Sequence, residues 1–163
     1  MAERPIRIFG DPVLKTKTDD ITVIDEGVRG LIQDLIDSVK IPGRAGVAAT
    51  QIGVGLRAFS YNVHGEVGYI INPKIVELSG DPVLVEEGCL SVPNLWFKTS
   101  RYPYCKVEGI DLDGNPLTLE GEGLMAQALQ HETDHLEGLL YLDRLDQESR
   151  REAMKQVRES DWF

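Results

Sequence analysis

Residues 130–138 of the chain are Gln-His-Glu-Thr-Asp-His-Leu-Glu-Gly, and this stretch indicates both a helix and a chemical site. Apolar residues recur at helical spacing before and within it, at Leu124, Met125, Ala128, Leu129 and Leu136. Successive residues of an α-helix are about 100° apart, so His131 and His135 lie about 40° apart on one face. Gly138 follows where a helix end favours a left-handed residue. The stretch therefore predicts a helix that presents two imidazoles side by side.

These two imidazoles and the glutamate beside them indicate a hydrolytic metal site. Side chains one helical turn apart, as in His131 and His135, can bind one metal ion. Glu132 lies about 60° from His135 on the same arc, close enough to accept a proton from water at the metal. The chain has only three histidines, and two of them have this spacing. A metal-dependent hydrolase is therefore the function that these residues favour.

A catalytic site of this type needs a third protein ligand and an open position for water. Extended zinc-protease motifs place a third histidine six residues after the second, but Tyr141 occupies that position here. A downstream carboxylate, Glu148 or Glu152, is one alternative ligand, and the thiolate of Cys89 is another. Spacing alone does not choose between them.

Two further helices and a β-rich region complete an α+β prediction, with antiparallel sheets around the central metal-binding helix. An amphipathic pattern predicts an N-terminal helix over residues 25–40, and residues 147–160 form a C-terminal one. Short β-rich runs predict strands at residues 57–63, 69–71, 74–78, 83–86, 106–112 and 117–119. Turn signals lie at residues 62–65, 72–73, 79–82 and 113–116, with Asp113-Gly114 the best hairpin candidate. His64 is predicted to lie at the surface.

Length and composition narrow the class of protein. With 163 residues the chain fits a single domain, residues 1–163. The formal charge of −10 argues against a protein that binds a phosphate backbone, so no direct reading of nucleic acid is expected. No signal peptide and no run of about 18 apolar residues is visible, which predicts a cytoplasmic protein without a membrane segment. Both cysteines are expected to be thiols, with Cys105 structural or at the surface.

Three motifs in this order resemble those of the peptide deformylase family. They are Gly46-Val47-Ala48-Ala49-Thr50-Gln51, Glu87-Gly88-Cys89-Leu90-Ser91 and the stretch at residues 130–138. The similarity covers most of the chain, including the opening Ile8-Phe9-Gly10-Asp11-Pro12-Val13-Leu14. The resemblance implies removal of the N-formyl group from the N-terminal methionine of newly made polypeptides, with release of formate. Those nascent peptides are the expected partners, and weak ribosome association through the C-terminal segment is a further expectation.

The resemblance also implies a set of site residues. Cys89 would be the third metal ligand, joining His131 and His135 around one divalent ion; Fe²⁺ is expected, with Zn²⁺, Ni²⁺ or Co²⁺ able to replace it. Glu132 would be the catalytic base, and the Gln51 side-chain amide and the Leu90 backbone N–H would stabilise the oxyanion. The implied substrate-binding residues are Ala45, Gly46, Val85, Glu87, Leu124 and Ala128, with His131 beside them.

Two positions depart from the pattern of this family. Arg44 stands where a glycine is common, and Trp96 stands where some relatives have an arginine. Trp96 and Phe97 are either an apolar rim of the cleft or part of the core. An ion pair between Glu87 and Arg101 is a further implication. A different metallopeptidase with a glutamate ligand and a non-enzymatic metal-binding module are the alternative functions.

Overall fold

The computed structural model describes residues 4–163, so residues 1–3 of the predicted domain lie outside the described range. Its α+β class agrees with the prediction. The helices are α1 (Glu26–Val39), α2 (Gly123–Leu136) and α3 (Gln147–Glu159). The strands are β1 (Gly46–Ala48), β2 (Ala58–Val63), β3 (Glu66–Ser79), β4 (Val83–Cys89), β5 (Val92–Arg101), β6 (Tyr104–Ile110) and β7 (Pro116–Glu122). Short 3₁₀ turns are formed by Pro12–Lys15, Ala49–Ile52 and Tyr141–Arg144.

The strands form two antiparallel sheets. Five strands pair in the order β1-β2-β3-β6-β7, and β4 pairs with β5 in a separate hairpin. Side chains alternate between the faces of a strand. Ile71 therefore packs in one core cluster with α1, whereas its neighbour Ile70 packs with Leu129 of α2 on the opposite face. Helix α2 is consequently the central element, covered on one side by the larger sheet.

Local sequence explains where the helices begin and end. Asp25 caps α1, its side chain accepting a hydrogen bond from the Val28 N–H at 2.9 Å. Helix α2 is followed by Gly138 with φ +80°, as predicted, and a Cβ there would lie 2.8 Å from the Lys15 carbonyl oxygen. Both the left-handed backbone and this close approach require glycine. None of the helices in residues 4–163 is long and apolar enough to cross a membrane.

Of the four predicted turns, three are confirmed and one is wrong. Gly80, with φ +85°, lies in the predicted turn between β3 and β4. Gly114 has φ +80° between β6 and β7, and His64 is exposed in the turn joining β2 to β3. Residues 72–73, however, lie within the continuous strand β3, which joins the two runs predicted separately. Asn72 adopts φ +54° in a bulge, and its side chain bonds both backbone groups of Ile21, at 2.8 and 2.9 Å.

Strands β1 and β5 were not predicted. β1 contains three residues, too few to show an alternating pattern. The second and third residues of β5, Pro93 and Asn94, are turn-forming, and Trp96 lies on its exposed side, so the apolar alternation is obscured.

Candidate metal centre and catalytic cavity

Helix α2 and the end of β4 bring three donor atoms together. His131 and His135 lie one turn apart on α2, with 3.2 Å between their Nε2 atoms. Sγ of Cys89, the last residue of β4, lies 3.3 Å from Nε2 of His135. All three donors lie within 4.8 Å of one another. The fold thus selects Cys89 from the ligands that spacing left open, and Glu148 and Glu152 are instead exposed on α3.

This donor set fits a tetrahedral divalent ion. Metal–nitrogen bonds of about 2.0–2.1 Å place two tetrahedral nitrogens about 3.3 Å apart, close to the separation of the two imidazoles. Nδ1 of His131 lies 2.6 Å from Oε2 of Glu87, which leaves Nε2 of that ring free to donate to a metal. Three protein donors leave the fourth position for water or substrate, as catalytic sites require.

Behind His131 lies a buried network of opposite charges. Arg101 donates two hydrogen bonds to Glu87, at 2.9 and 2.6 Å, and a third to Asp134 at 2.8 Å. Arg144 approaches Asp134 from the other side at 2.8 Å. Burial opposes ionisation of Glu87, but its bonds to Arg101 and His131 lower the pKa of this carboxyl to about 2. Glu87 therefore stays anionic and holds the His131 ring in place, and the Glu87–Arg101 pair is present as expected.

The side chain of Glu132 is buried beside the three donor atoms. It is 4% exposed, and Oε2 is 3.9 Å from Nε2 of His131. Oε1 is buried without a hydrogen-bond partner among residues 4–163. Burial is the main cause that raises the pKa of Glu132 to about 7. A carboxylate with a vacant lone pair and a pKa near neutrality suits proton transfer.

Gly46 on β1 makes room for that carboxylate. A Cβ at this position would lie 2.6 Å from Oε2 of Glu132, closer than atoms can approach without movement. The glycine is therefore required by Glu132 itself, a reason that the sequence did not reveal.

Gln51 and Leu90 lie next to Cys89 and line the same cavity. Oε1 of Gln51 accepts a hydrogen bond from the Ala48 N–H at 3.0 Å, which orients the amide. Nε2 of Gln51 then faces Ser91 Oγ at 3.2 Å and Cys89 Sγ at 3.7 Å. Leu90 follows Cys89 directly and lines the same cavity. Both predicted donors thus lie next to the metal ligand.

A cavity of about 490 Å³ opens over this cluster, within the usual range for small-molecule sites. Of the predicted substrate-binding residues, Ala45, Gly46, Glu87, Leu124 and Ala128 line it. Val85 lies outside the lining because it is set back along β4, opposite Thr99. The Glu87 carboxylate is engaged by Arg101 and His131, so its side chain supports the metal site instead of offering a free contact.

The sequence missed two residues close to His131, namely Gln127 and Tyr141. Gln127 donates to the Glu86 carbonyl at 3.1 Å and, one turn before His131 on α2, could have been found by helical spacing. Tyr141 is buried next to His131, with ring centroids 6.4 Å apart, and its hydroxyl donates to the Leu95 carbonyl at 3.1 Å. It packs against the imidazole at the position where the extended motif would place a ligand.

The remaining predictions concern Cys105, Trp96 and Phe97. Cys105 is fully buried in β6, and burial raises the pKa of its thiol to about 12, so its structural role is confirmed. Trp96 lines the cavity and is 64% exposed, which makes it part of the rim. Phe97 points the other way and packs against the core cluster formed with α3.

Comparison with known proteins gives one consistent family. The model of the polypeptide deformylase family matches residues 3–151. A peptide deformylase of Acidothermus cellulolyticus is 47% identical over 162 residues, covering 99% of this chain and 89% of the relative. Peptide deformylase 1 of Corynebacterium efficiens is 42% identical over 167 positions, covering 100% and 99%. The crystal structure of a Legionella pneumophila peptide deformylase superimposes with a TM-score of 0.89 at 36% identity, covering 97% and 95%.

Proposed function

The chain belongs to the peptide deformylase family, and on that premise we propose how its residues remove the formyl group from new polypeptides. Family membership makes it a metal-dependent hydrolase acting on N-formyl peptides. The observation that carries the mechanism is the position of Glu132, a buried carboxylate without a partner for Oε1 beside three clustered donor atoms. N-terminal formyl-methionine is the proposed substrate group.

Cys89, His131 and His135 are proposed to hold one ferrous ion. A thiolate with two imidazoles also suits zinc, nickel and cobalt, which are the alternatives. Once bound, such an ion supplies Lewis-acid chemistry by lowering the pKa of water and polarising a carbonyl group. Glu87 keeps Nδ1 of His131 engaged, so this ring donates through Nε2.

Glu132 is the proposed general base and acid. Its carboxylate accepts a proton from the water that attacks the formyl carbon, and then transfers that proton to the departing amine nitrogen. Burial raises the pKa of Glu132 in the metal-free protein to about 7, which favours a carboxyl group that can hold a proton between the two steps.

Gln51 and Leu90 are the proposed oxyanion donors. The Ala48 N–H holds the oxygen of the Gln51 amide, so the Nε2 donor is kept beside Cys89, 3.7 Å from its Sγ. Backbone N–H groups such as that of Leu90 need no reorganisation during the reaction. Preorganised donors of this kind each contribute about a hundredfold or more in rate.

The methionine side chain is proposed to enter the apolar part of the cavity. Ala45, Gly46, Leu124 and Ala128 line this part, and the small residues leave space for an unbranched chain. Val85 is not part of the proposed pocket, because it does not line the cavity. Glu87 is reassigned as a positioning residue that acts through His131.

The test is formate release from formyl-Met-Ala-Ser after anaerobic purification, with metal analysis of each variant. Glu132→Gln is expected to keep the metal and lose activity, whereas Cys89→Ala should lose both. Cys105→Ala is the matched cysteine control and should keep both, because its thiol is buried in β6 away from the donors. An inactive wild-type protein with a full complement of iron would contradict the proposal.

The same experiment tests the remaining alternatives. Cleavage of unformylated Met-Ala-Ser would instead indicate another metallopeptidase, and metal binding without any hydrolysis would indicate a binding module. Reconstitution with each metal separately tests the choice of iron. A zinc-loaded protein that is more active than the iron form would overturn that choice.

We also propose that residues 1–163 form one catalytic domain acting in the cytoplasm, where formyl-methionyl chains are made. Leu90 packs against the cluster around α1, and Cys89 packs against the cluster around α3. Ala48, whose N–H orients Gln51, belongs to the cluster under α2. All three cores thus meet at the site, and a single unfolding transition is expected. Two separate transitions would contradict this proposal.

Ribosome association is proposed to be weak. Helix α3 and the two residues after it contain both signs of charge. The basic residues are Arg150, Arg151, Lys155 and Arg158, and the acidic ones are Glu148, Glu152, Glu159 and Asp161. Cosedimentation with ribosomes is expected only at low salt, since such contacts are screened, and Lys155→Glu should weaken it further. No cosedimentation even at low salt would exclude this interaction.

A further inference from the structure

The rim of the cavity carries a large apolar side chain that the deformylation chemistry does not use. Trp96 is 64% exposed, although it lines the same cavity as Cys89 and Glu132. Tryptophan combines a large apolar area with few rotatable bonds, which makes an exposed one in a cleft a common anchor for ligands. From this position Trp96 can contact a substrate in the cavity.

The indole ring is held in place by the strand that ends at the metal ligand. Trp96 on β5 lies opposite Gly88 on β4. A Cβ on Gly88 would lie 2.5 Å from both Cε3 and Cζ3 of the indole, so the ring rests directly on the glycine backbone. The indole of Trp96 packed on Gly88 forms a platform. Because Gly88 precedes Cys89, this platform lies one residue from the metal site. The indole ring is supported by Gly88, while most of its surface stays exposed.

Both apolar and hydrogen-bonded polar side chains surround the platform. Leu124, at the start of α2, is 42% exposed and lines the same cavity. Arg44 lies at the rim but donates through Nη1 to the Ser38 carbonyl at 2.9 Å. Gln127 bonds the Glu86 carbonyl and reaches Oε1 of Glu87 at 3.3 Å. The exposed side chains Trp96 and Leu124 therefore offer apolar contact, while Arg44 and Gln127 each make at least one hydrogen bond within the protein.

We infer that Trp96 is a specificity-determining residue that binds a large apolar or aromatic side chain within the two residues after the formyl-methionine. This inference rests on the proposed function, since it assumes that a formyl peptide occupies the cavity. Covering about 50 Å² of apolar ring surface corresponds to about a tenfold gain in affinity. The gain falls on KM, because Trp96 binds substrate and transition state alike and touches no reacting atom.

The test compares peptide amides based on formyl-Met-Ala-Ala, with Phe or Asp replacing either alanine. For wild-type protein, kcat/KM should be about tenfold higher with Phe than with Ala at one of the two positions, through KM. Trp96→Ala should bring this ratio to about one, and Trp96→Phe should retain most of it. Leu84→Ala is the matched control, because Leu84 is 67% exposed on the same hairpin but lies outside the cavity lining.

Fluorescence provides a readout independent of turnover. The chain has two tryptophans, so a titration with the product-like peptide Met-Phe-Ala or Met-Ala-Phe amide should change emission in wild-type protein but not in Trp96→Phe. Equal kcat/KM for Phe and Ala peptides at both positions, or a Phe preference that survives Trp96→Ala, would overturn the inference while leaving the deformylase function intact. Failure of wild-type protein to deformylate any peptide would overturn both.

Discussion

Replacing Gly46 with alanine introduces one methyl group directly against the carboxylate of Glu132. The new Cβ would lie 2.6 Å from Oε2 and 2.8 Å from both Cδ and Cγ of that side chain. Ordinary van der Waals contact begins near 3.4 Å, so the carboxylate must move by about 0.8 Å. The backbone at Gly46 has no left-handed φ that would strain an alanine. The change therefore displaces this carboxylate and adds one methyl group to the cavity wall that Gly46 lines.

The expected effect on rate follows from this displacement. A misplacement of about 1 Å at a reacting group can cost about a hundredfold in rate. We therefore expect kcat/KM of Gly46→Ala to fall about a hundredfold. The thermal midpoint should change by only a few degrees, because a flexible side chain absorbs the clash and alanine reduces the entropy of the unfolded chain. Metal content should stay at the wild-type level.

Formate release, metal analysis and thermal unfolding measure these three quantities in parallel. Gly55→Ala is the matched control, since a Cβ at Gly55 meets nothing within 4 Å and its φ is not left-handed. A Gly46→Ala protein with wild-type activity would refute the reasoning. So would a hundredfold further loss when Gly46→Ala is added to Glu132→Gln, because two changes acting through one carboxylate cannot be additive.

Three other predictions follow from the buried groups. Glu87→Gln should weaken metal affinity about 10–100-fold in chelator competition, because the Nδ1 partner of His131 loses its charge; unchanged affinity would exclude the positioning role. In metal-free native protein, a thiol reagent at pH 8 should modify Cys89 but not Cys105, whose pKa is raised to about 12 by burial, and denaturant should release the second thiol. Burial opposes ionisation of Asp143, but its hydrogen bonds to Leu140 N–H, Lys15 and Arg150 lower its pKa below the usual 3.8. Asp143→Asn should therefore lower the free energy of unfolding by about 1 kcal/mol at pH 7. This difference between the two proteins should disappear as the pH falls through the lowered pKa of Asp143. Equal unfolding curves at pH 7 would disprove the prediction.

Helical elements were predictable because their signals are local. The 25–40 prediction differs from α1, Glu26–Val39, by one residue at each end, and the two extra residues are its caps. The hairpin at Asp113-Gly114 was equally local, since its turn chemistry lies in adjacent residues. Strand β5 was missed because the apolar Trp96 faces the cavity rim and so breaks the alternation expected of a half-buried strand.

The active-site residues show the same difference between local signals and contacts that depend on distant segments of the chain. His131, Glu132 and His135 could be placed together from sequence alone, because the fixed rotation of a helix converts spacing into geometry. The choice of Cys89 over a glutamate required either family resemblance or the fold, since 42 residues separate it from His131. The steric reason for Gly46 was invisible beforehand, because it depends on the contact between β1 and α2.

An α+β chain with a metal-binding helix, a base beside it and the motifs of a deformylase could be predicted from local patterns in the sequence. The supporting contacts appear only in the folded chain: Glu87 behind His131, Arg101 behind Glu87, and the indole of Trp96 on Gly88. The two kinds of interaction act over different separations along the chain. Helix rotation and turn chemistry act between near neighbours, whereas a buried charge or a ring finds its partner through the packing of strands distant in the chain.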